Sequence, residues 1–390
     1  MRNIRKNSSR RYTGLAALGF AALVSLAVGV RHSMEFGCRD LQWAGARLLR
    51  QHIDPWQEEL AHAPNHFAHF SPPNYLHVLY LILLPLGYLS FHAAAMAWTA
   101  GDICLSVVCA LLLGKLFELD RHQTLVALCV LWMSSPFRVV LEVGQMSFFE
   151  LFFLSGAYLA LSSAIGGLSL GMSLVKYSFS PPAVLLFLFR GRFRLLLFAA
   201  IVPAIGLAGA SLFLKTPVVR LALEPLAVSS APTAVSPGFA DLMTLVAAGL
   251  KSCTTPASAL RIAYAAGLLG SGVYAWLLSR FRLSPSEEFT LISLASLFFA
   301  KHLVYDYVFL LVLLCFALVQ KHWKTKMVLI AGVILFWFIL PLAERRTQQD
   351  DSIPFHYLAA NFILLASILG YSTYLVTFSR RKFERIAALE

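Results

Sequence analysis

A few ionisable residues lie within or directly after long apolar stretches of this sequence. Lys176 lies in the apolar run 165–189, His302 and Asp306 interrupt a later run, and Asp40 follows the first one. A carboxylate can act as a general base, and a cation can stabilise negative charge on a reacting group. Because a charge among apolar residues is expensive, these positions indicate either a catalytic or binding site or a paired structural contact.

Three of these residues also have a structural explanation that the sequence leaves open. Asp40 could cap the helix that follows it, a role that is compatible with catalysis. Lys176 could extend from a helix end toward the membrane surface. His302 could be a hydrogen-bonded residue inside a helical bundle.

The composition excludes a water-soluble globule. The chain has 390 residues, of which 58% are apolar and only 13% charged, and its mean hydropathy is +0.71. Soluble domains carry about 25% charged residues. The net charge of +12 comes from short basic clusters between apolar stretches, which fits a membrane protein better than a nucleic-acid-binding one. The sequence therefore predicts an all-α polytopic integral membrane protein with one transmembrane domain over residues 1–390.

The lengths of the apolar stretches predict about 12 transmembrane helices. Residues 12–30 are uncharged and follow a basic segment, which predicts an uncleaved first helix with a cytoplasmic N-terminus. The further apolar segments are 74–92, 93–117, 124–141, 146–163, 165–189, 195–214, 258–279, 288–300, 303–320, 327–343 and 357–378. The basic clusters after them predict a cytoplasmic C-terminus as well, in a multi-pass protein of the inner (plasma) membrane.

Two long polar segments are expected on the extracytoplasmic side. The first polar segment, 31–73, has Leu41, Ala44, Leu48 and Leu49 on one side of a predicted surface helix, with Trp43, Trp56 and Phe67 as possible interfacial anchors. The second polar segment, 215–256, contains one helical patch near 239–250. Cys38 and Cys253 lie in polar segments and could pair, but spacing alone does not decide this.

Three apolar stretches are expected to be interrupted. Lys176 and the prolines after it predict a broken helix within 165–189, with irregular backbone lining a cavity. The polar residues from Lys301 to Asp306 predict a second break, and 72–85 is expected to dip into the membrane without crossing. These breaks place Gln145, Lys176, His302 and Asp306 at the outer face.

An ordered set of short motifs resembles glycosyltransferase family 87, the polyprenyl-phosphate-mannose-dependent enzymes of the C-type glycosyltransferase superfamily. The motifs are Asp40-Leu41-Gln42-Trp43, Asp54-Pro55-Trp56, Ser71-Pro72-Pro73-Asn74-Tyr75, Leu84-Pro85-Leu86, Gly144-Gln145-Met146-Ser147, the Gly-rich stretch from Gly167 to Lys176, and Lys301-His302-Leu303-Val304-Tyr305-Asp306-Tyr307. They cover most of residues 35–320. Ser71 replaces an aromatic residue, Lys301 replaces proline, and Tyr177 follows Lys176 where proline is common in the family.

The resemblance implies a C-type glycosyltransferase-like membrane enzyme that transfers a hexose, with mannose expected, from a polyprenyl-phosphate donor. The acceptor would be an extracytoplasmic glycan or glycolipid, and the reaction would invert the anomeric configuration with Asp40 as its single base. Lys176 and His302 would bind the donor phosphate. Supporting roles in substrate binding are expected for Gln145, Tyr305, Asp306, Asn74 and Tyr75.

No nucleotide-binding motif is present, which favours a lipid-linked donor over a nucleotide sugar. No metal is expected, since His62, His66 and His69 lack the spacing of a zinc motif. No cofactor and no nucleic-acid partner are expected either. The remaining partners would be the donor, the acceptor and membrane lipid. A secondary transporter or lipid flippase, and a polysaccharide polymerase, stay open as alternatives.

Overall fold

The computed structural model describes residues 2–38, 41–61, 75–177, 179–229, 241–341 and 355–379, and the part it describes is helical. The first half contains α1 (Arg2–Phe36), α2 (Trp43–Arg50), α3 (Pro55–Leu60), α4 (His77–Ile82), α5 (Phe91–Leu116), α6 (Arg121–Met133), α7 (Ser135–Val143), α8 (Ser147–Leu159), α9 (Ala164–Ser173) and α10 (Pro181–Phe189). The second half contains α11 (Phe193–Leu214), α12 (Val218–Ser229), α13 (Leu242–Leu250), α14 (Pro256–Ser279), α15 (Pro285–Phe299), α16 (Leu310–Val319), α17 (Trp323–Ile334) and α18 (Phe355–Tyr374).

Helix starts follow from the local sequence. Asp120, Ser163 and Ser284 precede α6, α9 and α15, and each side chain accepts a hydrogen bond from a backbone N–H in the first turn. Such residues are favoured there because the first N–H groups of a helix have no partner within it. Pro285 then begins α15, where its missing N–H costs nothing.

The chain is an all-α polytopic membrane protein, but the described residues do not show the expected twelve spans. Five helical stretches are long and apolar enough to cross a membrane: Thr13–Glu35, Phe91–Leu116, Phe193–Leu214, Pro256–Ser279 and Phe355–Phe378. A sixth forms if α6 and α7, which meet at a bend of 62°, act as one span. Several other apolar runs form shorter helices. The nine-residue α10, for example, is only about 14 Å long, roughly half the hydrocarbon thickness.

The two expected helix breaks are confirmed. In the run 165–189, α9 passes into a 3₁₀ turn, Leu174–Lys176, and a new helix begins at Pro181. The chain after α15 is non-helical at residues 300–303 and continues as a 3₁₀ segment, Val304–Phe309. Within 74–92, α4 has six residues and is too short to cross a bilayer.

The predicted apolar side of the first polar segment is buried. Leu41, Ala44, Leu48 and Leu49 are all buried around or within α2. The Trp43 and Trp56 rings are also enclosed by the protein instead of lying exposed at its surface. The predicted helical patch near 239–250 corresponds to α13.

Two ends of the helical bundle can be distinguished by their contacts. At the end called here the basic end, Arg190 after α10 forms an ion pair with Glu288 of α15, and its other guanidinium nitrogen donates to the Phe281 carbonyl at 3.1 Å. At the opposite end, called the site end, the start of α8, the 3₁₀ turn after α9 and the 3₁₀ segment before α16 meet. Helices α8, α9 and α10 connect the two ends.

Close packing of α9 on α11 positions one side of the site. A methyl group at Gly171 would lie 2.7 Å from the Val202 side chain, so this helix pair depends on a residue without a side chain. Small residues allow such close approach between membrane helices. The contact fixes α9, and with it the 3₁₀ turn that carries Lys176.

Candidate active site

Lys176 and Asp306 form a buried ion pair between two broken segments. The Lys176 ammonium group donates to Asp306 Oδ1, and both side chains are at most 10% exposed. Asp306 Oδ1 also accepts from Ser147 Oγ at 2.8 Å, and Oδ2 accepts from the Leu303 N–H at 3.3 Å. The carboxylate is thereby held by residues at the start of α8 and in its own turn. Two positions that the sequence proposed separately are thus in direct contact.

Aromatic faces surround the Lys176 ammonium group. It lies 5.2 Å from the ring centre of Tyr305 and 5.8 Å from that of Phe179. Such rings attract a cation through their negative faces. They stabilise a charge at this position without filling its hydrogen-bonding capacity. Tyr305, a predicted supporting residue, therefore lies beside Lys176, and so does Phe179, which was not expected there.

Tyr75 and Gln145 form a second pair at the same end of the bundle. The Tyr75 hydroxyl donates to Gln145 Oε1 at 2.6 Å, and both side chains are buried. The next residue, Leu76, donates its N–H to the Val175 carbonyl at 3.2 Å. These bonds connect the start of α4 both to the turn before α8 and to the residue preceding Lys176.

A tight turn at Gly144 places Gln145. Gly144 ends α7 with φ +72°, a left-handed conformation that costs an L-residue with a side chain. A Cβ at this position would lie 3.0 Å from the Cβ of Cys38 and 3.1 Å from that of Leu41. The chain on both sides of residues 39 and 40 therefore packs directly against the Gly144 turn.

Asp40 and Asn74, the predicted base and one predicted substrate-binding residue, lie outside the described residues. Their roles stay predictions. The described neighbours Cys38, Leu41 and Tyr75 contact Gly144 or Gln145, as given above.

The contacts of His302 lead away from Lys176. Its backbone N–H donates to Asp241 Oδ2 at 3.4 Å, and its ring nitrogen Nδ1 lies 3.7 Å from the same oxygen. The ring also packs edge-on against Tyr307. These contacts connect the second break to the start of α13, which is capped by Asp241. His302 is thus anchored to a different carboxylate from the one that holds Lys176.

Glu150 is a buried carboxylate beside the candidate site that was not predicted from the sequence. It lies on α8 one turn after Ser147, is 1% exposed, and accepts from Ser180 Oγ at 3.2 Å. Ser180 follows the break after Lys176, so a second carboxylate faces the same interruption. A carboxylate inside the apolar run 146–163 carries the same signal as Lys176. That signal could have identified it.

Cys38, two residues before Asp40, is buried. Burial raises the pKa of Cys38 to about 11; a hydrogen bond with Thr99 opposes this, and the nearby Asp102 adds to it. Cys38 and Cys253 are both free, so the suggested pairing between them is absent.

Asp54, His77 and Glu224 form a separate polar cluster beside the site end. His77 Nε2 lies 3.1 Å from Glu224 Oε2 and 3.8 Å from Asp54 Oδ1. Burial alone would lower the pKa of His77, but the two carboxylates outweigh it and raise the pKa. Burial likewise opposes ionisation of Asp54, and the contact with His77 overcomes it and lowers the pKa of that carboxyl. Such a set of nitrogen and oxygen atoms could hold a metal ion.

The fold and the site define a membrane-embedded helical protein whose polar side chains meet where helices are broken. Comparison with known families matches residues 72–305 to Glycosyltransferase family 87. The match covers more than half of the chain, and the chain belongs to this family, which confirms the resemblance found in the motifs. It is therefore a membrane-embedded glycosyltransferase. No curated protein and no solved structure matches the chain.

Proposed function

We propose that this glycosyltransferase moves a hexose, with mannose as the expected sugar, from a polyprenyl-phosphate donor to a glycan or glycolipid acceptor. The observation that carries the proposal is Lys176, a buried ammonium group at a helix break in a membrane protein. A glycosyltransferase whose donor is a lipid phosphate needs a cation at the leaving group, where negative charge develops. Lys176 lies at the site end, and its hydrogen bonds leave room for a phosphate group.

The number of N–H donors that Lys176 has available for a ligand follows from its hydrogen bonds. An ammonium group has three N–H donors. Asp306 Oδ1 is the one hydrogen-bond acceptor that Lys176 Nζ has among the described residues. The aromatic rings of Tyr305 and Phe179 accept no conventional hydrogen bond, which leaves two donors for phosphate oxygens. Asp306 would then orient the ammonium group while the phosphate binds beside it.

The reaction that we propose needs one base. The acceptor hydroxyl transfers its proton to the Asp40 carboxylate, and its oxygen attacks the anomeric carbon. The bond from that carbon to the phosphate oxygen breaks, and polyprenyl phosphate leaves with the electron pair. Direct displacement inverts the anomeric configuration. The packing of Cys38 and Leu41 against the Gly144 turn supports Asp40 as the base, because that turn also carries Gln145.

We assign the other predicted residues supporting roles. The hydrogen-bonded pair of Tyr75 and Gln145 would contact the sugar or phosphate, together with Asn74. His302 Nδ1 faces Asp241, whereas Nε2 has no hydrogen-bond partner among the described residues, so Nε2 would be the atom that binds phosphate, at the edge of the site.

The membrane arrangement that we propose keeps both termini cytoplasmic and the site extracytoplasmic, in the inner membrane. The basic residues near Arg190 and Glu288 mark one end of the bundle, and positive clusters favour the cytoplasm. The short helices would complete passes together with the irregular segments beside them, giving about twelve in all. Residues 31–73 and 215–256 would then be the two extracytoplasmic segments of a single transmembrane domain.

Purified full-length protein incubated with a panel of polyprenyl-phosphate sugars would test the proposal. We expect breakdown of one donor and inversion at its anomeric carbon. Asp40→Asn should abolish transfer while the protein stays folded. Its matched control is Asp120→Asn, because Asp120 caps α6 and asparagine caps about as well as aspartate. An Asp40→Asn protein that retains transfer would exclude this residue as the base.

Lys176→Ala tests the phosphate contact separately. We expect Lys176→Ala to raise the KM for the donor, or to lower donor turnover, at least tenfold. The KM for the acceptor should change less. Lys251→Ala removes an exposed lysine after α13 and should change neither. Equal effects of Lys176→Ala on donor and acceptor would count against phosphate recognition. Transport of an intact lipid-linked sugar without bond breakage would favour the flippase alternative.

A further inference from the structure

Asp54, His77 and Glu224 come from three distant parts of the chain and meet outside the candidate active site. Asp54 precedes α3, His77 begins α4, and Glu224 lies in α12, yet one ligand atom from each lies within 4.8 Å of the other two. We infer that these three residues bind a divalent transition-metal ion of the zinc type, which fastens the two long polar segments together.

Several buried polar atoms of these three residues lack a hydrogen bond, and two of them, His77 Nε2 and Glu224 Oε2, face each other at 3.1 Å. Among the described residues, Glu224 Oε2, Asp54 Oδ2 and both ring nitrogens of His77 are buried without a hydrogen bond of acceptable geometry. His77 is 1% exposed and Glu224 is 3% exposed. Leaving a buried polar atom unsatisfied costs about 1–3 kcal/mol, and more for a charged group. A cation among these atoms would satisfy several of them at once.

Neighbouring side chains hold the carboxylates in the orientation that a metal site needs. Gln57 donates to Glu224 Oε1 at 2.6 Å, which turns Oε2 toward His77. The amide oxygen of Gln57 is held in turn by Arg220 at 2.6 Å. On the other side, the backbone N–H of Trp56 donates to Asp54 Oδ1 at 3.0 Å. Such outer contacts commonly orient the ligands of metal ions.

The charge and donor types select the class of ion. The carboxylates of Asp54 and Glu224 bring two negative charges, and among the described residues the guanidinium group of Arg220 contacts Gln57, which in turn donates to Glu224. A divalent ion balances both charges. Because Ca²⁺ and Mg²⁺ prefer oxygen ligands alone, the imidazole nitrogen favours a transition metal, and one nitrogen with two carboxylates suits Zn²⁺.

The site would fix the start of α4. His77 lies two residues after Tyr75 and one after Leu76, which contact Gln145 and Val175. A metal ion joining His77 to Glu224 would therefore hold the second polar segment against the start of α4. Tyr75 and Leu76, which contact the candidate active site, directly precede that start. The role of the ion is structural, and it is independent of which sugar the enzyme transfers.

Metal analysis of full-length protein, purified in detergent through a tag without histidine, would test the inference. After treatment with chelator, Zn²⁺ is added, and unbound metal is removed by gel filtration. We expect about one Zn²⁺ per chain and a rise in the unfolding temperature that Mg²⁺ and Ca²⁺ do not reproduce. Wild-type protein that retains no Zn²⁺ and shows no stabilisation would overturn the inference, leaving a protonated His77 between the two carboxylates.

Two substitutions locate the ion, and one serves as a control. Glu224→Gln and His77→Gln should each lower Zn²⁺ affinity at least tenfold and remove the zinc-dependent stabilisation. His92→Gln removes an exposed histidine near the start of α5 and should retain both. Should His77→Gln fail to fold, Glu224→Gln, which keeps the size of the side chain, decides the matter. Undiminished Zn²⁺ binding by Glu224→Gln would show that the ion lies elsewhere and refute the site.

Discussion

Replacing Gly144 with alanine should damage both stability and activity, because this residue contacts both sides of the segment that contains Asp40. Its φ of +72° lies in the left-handed region. The new methyl carbon would lie 3.0 Å from the Cβ of Cys38 and 3.1 Å from that of Leu41. Neither neighbour can avoid it by rotating a flexible chain end, since both atoms are attached directly to the backbone. The backbone on either side of Asp40 must therefore move.

The cost can be separated into two parts with a matched control. The left-handed conformation costs an alanine about 1–2 kcal/mol. Overpacking of a closely packed site adds about 1–3 kcal/mol. Gly191 has φ +66°, but a Cβ there meets nothing closer than 3.8 Å, so Gly191→Ala should show the first part alone. We expect Gly144→Ala to lose about 2–5 kcal/mol and Gly191→Ala about 1–2 kcal/mol.

Denaturant unfolding in detergent would give the two stabilities, and donor turnover would give the two activities. Gly144→Ala should lower turnover at least tenfold under conditions in which it stays folded, while Gly191→Ala at the basic end should keep wild-type turnover. Equal losses of stability in the two variants would refute the contact argument. Full activity in a destabilised Gly144→Ala protein would show that the segment around Asp40 tolerates the displacement.

Two further predictions concern buried charge and thiol reactivity. Arg190→Met should destabilise the protein by about 3–5 kcal/mol in the same unfolding assay, because it leaves the buried Glu288 carboxylate without its ion-pair partner. The Arg190→Met/Glu288→Gln double variant should regain most of that loss, and no recovery would mean that the pair is not its cause. With its pKa raised to about 11, Cys38 should resist maleimide in folded protein at pH 8, whereas the exposed Cys253 reacts at that pH. Mass spectrometry of the labelled peptides measures both, and rapid labelling of Cys38 at pH 8 would contradict its burial.

The sequence was sufficient to predict the breaks in the helices, because their causes are local. Lys176 with the prolines after it, and the polar residues from 301 to 306, interrupt apolar runs in ways that single residues explain. The helix lengths were less predictable. An apolar run does not show where a helix bends. Residues 124–141 were therefore expected to form one span, whereas the structure has two helices, α6 and α7, that meet at 62°.

Contacts between distant residues could not be predicted from the pattern. Lys176 and Asp306 are 130 positions apart, and nothing in either motif indicates that they pair. The same holds for His77 and Glu224, whose contact depends on how two polar segments fold back over the bundle. His62, His66 and His69 are close together in the sequence and so suggest a metal site, whereas Asp54 and Glu224, the partners of His77, are distant from it in the sequence.

Two ion pairs within the described residues, Lys176–Asp306 and Arg190–Glu288, differ in a way that bears on function. Arg190 donates to Glu288 and also to the carbonyls of Phe281 and Leu278, so its neighbours use its guanidinium group as a structural connection. Lys176 has one hydrogen-bond acceptor within the described residues, although its side chain is slightly more buried than that of Arg190. Replacing a buried pair by apolar side chains is often neutral or stabilising, so stability alone gives little reason to retain an incompletely bonded lysine in a membrane bundle. The phosphate contact that we propose would give such a reason, because a phosphate group would complete the hydrogen bonds of Lys176 at the helix breaks.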